Sequence, residues 1–496
     1  MPPSLREWLP EDHLAWFVIE AVEQIDLAAF YAAYRADGHG RAAYEPSMMV
    51  ALLLFAYSTK ERSSRGIERH CRQDIAYRVI TANLVPDHAT IARFLSRHQD
   101  ALAELFSAVL GLCAKAGLVT SGVISIDGTK MHGNASREQN VDYDRIAKEI
   151  ISEAIATDEA EEEKHGDARG DELPQGLSTE AGRRGWLARE LAGEREADSD
   201  AEAPKEDSDP AHEFDAQRIV ARVQGRNGWL REAKRQLDQD RWIAPGAVPR
   251  SRSARLREAG RRLEDDLAAE RRGNDAYEQY RATAKDLLGR RLSSRPRKPY
   301  RPPASPEGTV NLTDPDTHLM KGQRGYLQGY NAQAVVNESQ IVLAAEITVD
   351  AGDFSHLRPM IAATCRELEH AGVSDTPPVA VADAGYWNEQ HMDDVTARGI
   401  AVLIPPDSSK RGGERPGWTG GRYAWMRHVL ASDLGGQLYR KRKQTVEPLF
   451  GHTKHNRKFD RFQRRGRAAV RTEWRLMMTT HNLTKLHSHQ TTAPGP

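Results

Sequence analysis

Three acidic residues, far apart in the chain, stand where an α/β core presents side chains to a ligand. Asp127 closes the alternating run Val123-Ile124-Ser125-Ile126, Asp383 closes the apolar run Val379-Ala380-Val381-Ala382, and Glu447 opens a basic segment of helical character. Strand ends and first helical turns face the crevice in which such folds bind ligands. Three carboxylates converging there could hold two Mg2+ ions, which take hard oxygen ligands and leave room for water and phosphate. The corresponding chemistry is phosphodiester cleavage, in which the protein mainly aligns ions, attacking oxygen and strand. Each residue also has a plainer reading. Asp127-Gly128 is a common turn, Asp383 could end a strand and cap the next helix, and Glu447, two residues after the possible cap Thr445, could simply complement a helix dipole.

The elements that must position these residues can be read in outline. Residues 1–118 are mostly helical. Pro46 suits the first turn of a helix over Met48–Tyr57, Gly66–Thr81 is a shorter helical pattern, and Asp87 can cap a helix with apolar positions from Ile91 to Leu110. The short helix, turn and capped helix could form a DNA-binding helix-turn-helix, although an ordinary helical core has the same periodicity. Strand signals begin at about 119 and stop after Asp127, with 119–136 the first part of the sheet domain. They resume with a hairpin of Asn331–Val336 and Ile341–Val349, then a helix over His356–His370, a buried strand at Val379–Ala382, the end of a helix at Asp393–Arg398 and a strand at Ala401–Ile404. The fold class is α/β: a mixed sheet with flanking helices, resumed over 309–487, with a disordered tail at 488–496. Between the sheet's first and second strands lies a charged helical insertion, 137–308, read as a hairpin or coiled-coil arm that contains the acidic stretch 158–210 and ends in the Pro- and Arg-rich linker Arg295–Pro306. The first and fourth strands of such a sheet can lie side by side, bringing Asp127 next to Asp383.

Net charge is −1, which by itself argues against a polyanion-binding protein, but the charge is unevenly distributed. Between 438 and 467, basic residues crowd around Glu447 and Asp460, the footprint of a nucleic-acid-binding segment. Candidate DNA contacts are Tyr439, Arg442, Lys443, Lys454, Arg457, Lys458, Arg464 and Arg465. On a helix starting near Thr445, Glu447 and Lys454 share a face. Trp418, Trp425 and Tyr439 could stack on an unpaired base, though aromatic residues are more often core. Three scattered cysteines imply neither a disulfide framework nor zinc and suit a reducing cytoplasm, and no apolar run is long enough to span a bilayer.

Several segments together resemble bacterial insertion-sequence transposases of the DDE type with an InsH-like N-terminal domain. These are Tyr44-Glu45-Pro46 through Asp87-His88-Ala89-Thr90-Ile91-Ala92-Arg93-Phe94, Ile126-Asp127-Gly128-Thr129-Lys130, Gly329-Tyr330-Asn331-Ala332-Gln333, Ala382-Asp383-Ala384-Gly385-Tyr386 and Val446-Glu447-Pro448-Leu449-Phe450-Gly451. The resemblance implies an RNase H-like core, with Asp127, Asp383 and Glu447 as a catalytic, Mg2+-binding triad (Mn2+ also fits). It also implies hydrolysis at element ends and attack of the freed 3′-hydroxyl on target DNA. Its implied partners are terminal inverted repeats, target DNA and a second copy of the chain or a larger synaptic assembly, at the bacterial nucleoid. The family pattern around the glutamate is Tyr, two residues, Arg, three residues, Glu, six residues, Lys. Here Arg442 stands one residue too far from Glu447, and Lys443 takes the expected basic position. Two rivals remain: a catalytically silent DNA-binding regulator derived from a transposase, and a nuclease that cuts without joining.

Overall fold

In the computed structural model, the described residues are 5–34, 43–120, 122–165, 177, 179–201, 225–243, 249, 251–283, 300–322, 325–408 and 413–492. Seven helices come first: α1 (Leu14–Glu23), α2 (Ala28–Tyr31), α3 (Pro46–Ser58), α4 (Ser64–Gln73), α5 (Ile75–Ile80), α6 (His88–Arg97) and α7 (Gln99–Lys115). After β1 (Val123–His132) come β2 (Asn140–Val141), α8 (Tyr143–His165), α9 (Glu180–Ala201), α10 (Arg226–Ile243), α11 (Arg252–Thr283) and β3 (Val310–Asn311). The remainder is β4 (His318–Gly322), β5 (Gly325–Val336), β6 (Val342–Thr348), α12 (Leu357–His370), β7 (Val379–Ala382), α13 (Glu389–Thr396), β8 (Ala401–Leu403), α14 (Gly421–Ala431), α15 (Asp433–Gly451) and α16 (Arg467–Thr492). Two units result: Met1–Asn134 with Thr317–Pro496, and Ala135–Asp316.

Within the first unit the sheet runs β4-β5-β1-β7-β8, and β6 pairs with β5. β1 is antiparallel to β5 and parallel to β7, which is parallel to β8. The helical start shares one apolar core with this sheet instead of forming a core of its own. The reason is α16, whose Val470, Trp474, Leu476, Met477, Met478, Leu483 and Leu486 are buried, and which packs on β6, α3 and α7. Two of its buried polar side chains are paired as burial demands: Trp474 Nε1 donates to Gln333 O at 3.0 Å, and the Asn482 amide brackets Val342 on β6 with two bonds of 2.8 Å. Residues 488–492, expected in a disordered tail, continue this helix; 493–496 lie outside the described residues.

Three local expectations change. The pattern Gly66–Thr81 is two helices, because Asp74 accepts from Ala76 N and Tyr77 N and so caps α5. The helix capped by Asp87 stops at His98, where α7 begins. β1 does not end at Asp127. It runs on to His132 against β5, while its pairing with β7 ends at Ile126↔Ala382.

In the second unit α8, α9 and α11 enclose a small core of Tyr143, Ile146, Ile150, Leu187, Leu191, Leu256 and Leu263, closed by the two-stranded β2-β3 ribbon. This is a small bundle with its own interior, where sparse apolar residues suggested an arm. On α11, a Cβ at Gly273 would come within 3.0 Å of Trp229 O, so glycine permits the close approach of α10. Parts of the acidic stretch and of the Pro- and Arg-rich linker lie outside the described residues.

Candidate active site

The register of two strands builds the site. Ile126 and Ala382 are the last partners of the parallel β1-β7 pair, so Asp127 and Asp383 follow as neighbours at the strand ends. The Asp383 carboxylate accepts from Gly385 N at 2.8 Å and thereby caps the short turn Ala384–Tyr386. Asp127 Oδ1 accepts from Gly128 N at 2.8 Å, and its Oδ2 accepts from Arg442 Nη2 at 2.7 Å.

Arg442 comes from α15, which begins at Asp433 with Ser432 as cap. Thr445, expected as the cap, is instead buried inside this helix, with its hydroxyl 2.6 Å from Ser125 Oγ on β1. That contact fixes α15 against the strand that carries Asp127. Pro448 has no N–H for the Gln444 carbonyl four residues before it; the Gln340 amide donates there instead, at 2.9 Å. Glu447 therefore lies near the C-terminal end of α15, not in a first turn, and the dipole reading of it falls. Its Oε1 accepts from Arg442 Nη1 at 3.2 Å. The structure thus brings Asp127 and Asp383 together directly, and links Glu447 to Asp127 through the Arg442 guanidinium. The extra residue before Glu447 does not take Arg442 out of the site, whereas Lys443 is exposed.

Burial pushes the Asp127 carboxyl up to about 7; Arg442 opposes this, while the charges of Asp383 and Asp353 reinforce it. The Tyr439 hydroxyl is raised first by burial, with Arg442 opposing and Asp383, Asp127 and Glu447 adding to the rise, so this half-buried residue stands within the same electrostatic field. Among the described residues, no three acidic, histidine or cysteine side chains are grouped closely enough to hold a metal ion. The donor chemistry nevertheless suits a hard divalent cation. The side-chain donors of Asp127, Asp383 and Glu447 are carboxylate oxygens, and one guanidinium leaves Asp127 far above the usual carboxylate range.

The basic candidates divide by burial. Lys443, Lys458 and Arg465 are exposed. Lys454, in the π-helical turn His452–Asn456, donates to Lys130 O on β1 at 2.7 Å and is half-buried. Arg457 is a correction: it is buried, donating to Met477 O at 2.8 Å, Tyr57 O at 2.9 Å and Thr480 Oγ1 at 2.6 Å, and so joins α3 to α16 instead of facing solvent. Arg464 likewise turns inward, to Leu95 O and, at 3.0 Å, Gln99 Oε1. Trp418 stacks on Tyr423 and lies against Trp387 in a packed cluster, whereas Trp425 is exposed.

Asp353, on the loop between β6 and α12, was not foreseen. Its Oδ1 accepts from Asn331 Nδ2 at 2.9 Å and Gln333 Nε2 at 2.7 Å. The available signal was the segment Gly329-Tyr330-Asn331-Ala332-Gln333, conspicuous in sequence but without a chemical task until its amides are seen to hold this carboxylate.

Two family comparisons match this architecture. Residues 3–97 match a transposase domain, DUF772, and residues 417–487, which include α15 and most of α16, match a transposase DDE domain. Both matches are to transposase models, one at each end of the chain. No curated protein and no solved structure matches it. Among the described residues, no helix is long and apolar enough to cross a membrane.

Proposed function

We propose that this protein is an insertion-sequence transposase that cuts at the ends of its element and joins the freed 3′-hydroxyl to target DNA, acting as a dimer or larger assembly on paired ends. The observation that carries this reading is the adjacency of Asp127 and Asp383 past the last β1-β7 pair, with Glu447 tied to Asp127 through Arg442. An RNase H-like core is supported by the order of the five long-range strands: β6 and β5 antiparallel on one side of β1, β7 and β8 parallel on the other.

Asp127, Asp383 and Glu447 would hold Mg2+, with Mn2+ a fitting substitute. When bound, the ions supply positive charge for the attacking and leaving oxygens of a phosphodiester. The protein's own part is placement. Thr445 and Gln340 anchor α15, so that Arg442 and Tyr439 stand beside the acids, and exposed Lys443, Lys458 and Arg465 offer phosphate contacts that set strand position without reading bases. In the N-terminal region, Arg65 and Arg69 share an exposed face of α4 and Arg93 is exposed on α6, which supports DNA contact there also.

The test is a strand-cleavage and joining assay on DNA carrying the element ends, with Mg2+. Asp127→Asn, Asp383→Asn and Glu447→Gln are each expected to abolish cleavage while leaving DNA affinity within about threefold. Near-normal activity in any of them removes that residue from the site. Binding without nicking by the unaltered protein would favour a silent regulator, and cutting without joined products a plain nuclease.

A further inference from the structure

The Asp353 carboxylate is bound to β5, the strand that pairs with the part of β1 carrying Asp127. Its two amide donors, Asn331 and Gln333, alternate on β5 and so point to one face of the sheet. Gln333 is the register partner of Gly128, the residue after Asp127. From the other end, the Tyr386 hydroxyl donates to Gln333 Oε1, and Tyr386 closes the turn that Asp383 caps. One chain of hydrogen bonds therefore runs from the turn after Asp383, through β5, to Asp353.

Two glycines make room for it. A Cβ at Gly128 would lie 2.6 Å from Asp353 Oδ1, closer than any side chain tolerates. A Cβ at Gly385 would lie 2.9 Å from Asp383 Oδ1 and 3.6 Å from Asp353 Oδ2, so the second oxygen of Asp353 and the carboxylate of Asp383 border the same small space. After burial, the charge of Asp353 is the largest influence raising the Tyr386 hydroxyl, ahead of Asp127 and Asp383. Both amide donors address one oxygen, Oδ1, of Asp353. A fixed negative charge is thus held beside two others, a costly arrangement unless a cation answers it.

Resting on the reading of Asp127, Asp383 and Glu447 as cation ligands, we infer that Asp353 is a fourth acidic member of the site. It is a positioning residue, whose amide-clamped negative charge strengthens the hold of the Asp127–Asp383 pair on a divalent cation. Asn331, Gln333 and Tyr386 are the clamp.

The test is Mn2+ titration calorimetry on the full-length, DNA-free protein. Asp353→Asn keeps the oxygen that accepts from both amides and removes the charge. It is expected to weaken Mn2+ binding by about 10- to 100-fold, as loss of an outer partner does at metal sites, with an unchanged melting midpoint in chelator. Asp353→Glu, which restores the charge, is expected to recover part of that loss. Wild-type Mn2+ affinity in Asp353→Asn overturns the inference. So does an equal loss in both variants accompanied by a lowered melting midpoint, since that is a structural role. If Asp127→Asn and Asp383→Asn bind Mn2+ as the unaltered protein does, the underlying reading of the site fails and the inference goes with it.

Discussion

Replacing Arg442 by Gln tests whether charge holds the site together. Arg442 and Asp127 are 2.7 Å apart, with side chains only 13% and 15% exposed, so their interaction is weakly screened by solvent. Even with Arg442 in place the Asp127 carboxyl sits at about 7. Since this lies above the ordinary carboxylate value, the ionised form opposes folding. The cost is absent below about pH 4, grows as pH rises, and levels off once pH passes the folded value. Without the guanidinium the folded value climbs further. Below pH 7 Asp127 is then protonated with or without Arg442, and the two proteins differ little. Above pH 7 the unaltered protein has reached its plateau, while the variant continues to lose about 1.4 kcal/mol per pH unit. At pH 8.5 the gap is therefore about 2 kcal/mol. Glu447 adds little, because its carboxylate is 49% exposed and such pairs contribute under about 1 kcal/mol. Thermal unfolding in chelator measures the gap: a drop in the midpoint of roughly 4 °C at pH 8.5 and under about 1 °C at pH 6. An equal drop at both pH values would mean that Arg442 acts by packing, and the electrostatic account would be wrong.

The basic segment should separate into two kinds of residue. Lys458→Ala and Arg465→Ala are expected to weaken binding to any DNA and together to reduce the salt slope by about 2, with unfolding unchanged. Arg457→Ala should instead destabilise the fold by about 2–4 kcal/mol, because it removes three buried hydrogen bonds from a charged donor; a stable variant with weakened DNA binding would reverse that assignment. His481 gives an acid limit. Burial lowers it to about 3, with Arg457, Lys485 and His452 adding to the effect against the Gln340 carbonyl that accepts from its ring. The folded state keeps it neutral, so its stabilising contribution is full above about pH 6.5 and is lost on acidification by about 1.4 kcal/mol per unit, or about 3 kcal/mol by pH 4.5. Urea unfolding of His481→Gln should show a correspondingly shallower decline over that range; parallel declines would show that His481 does not set it.

What could be read in the sequence was what one segment determines alone. Val379–Ala382 is apolar because both faces of β7 are covered, and Pro46 and Asp87 start α3 and α6 by local chemistry. Asp127 and Asp383 could be paired because strand order follows from the order of elements. What could not be read depended on a partner distant in sequence. β1 continues past Asp127 with no apolar alternation, because Gly128, Thr129 and Lys130 are held by β5 and not by a buried face. Thr445 looks like a cap, yet its partner is Ser125, more than three hundred residues away. Arg457 and Arg464 have the composition of a DNA-binding strip, but the carbonyls of Tyr57 and Leu95 draw them inward. Charge counts report how many cations a segment has, and not which of them the fold has already turned inward. The same reasoning explains Asp353. No local pattern marks it, since its significance arises from two amides on β5 and two glycines beside the acidic pair. A segment such as Asn331-Ala332-Gln333, polar at alternate positions of a buried strand, is therefore a sequence signal that some charged group elsewhere in the chain is being held.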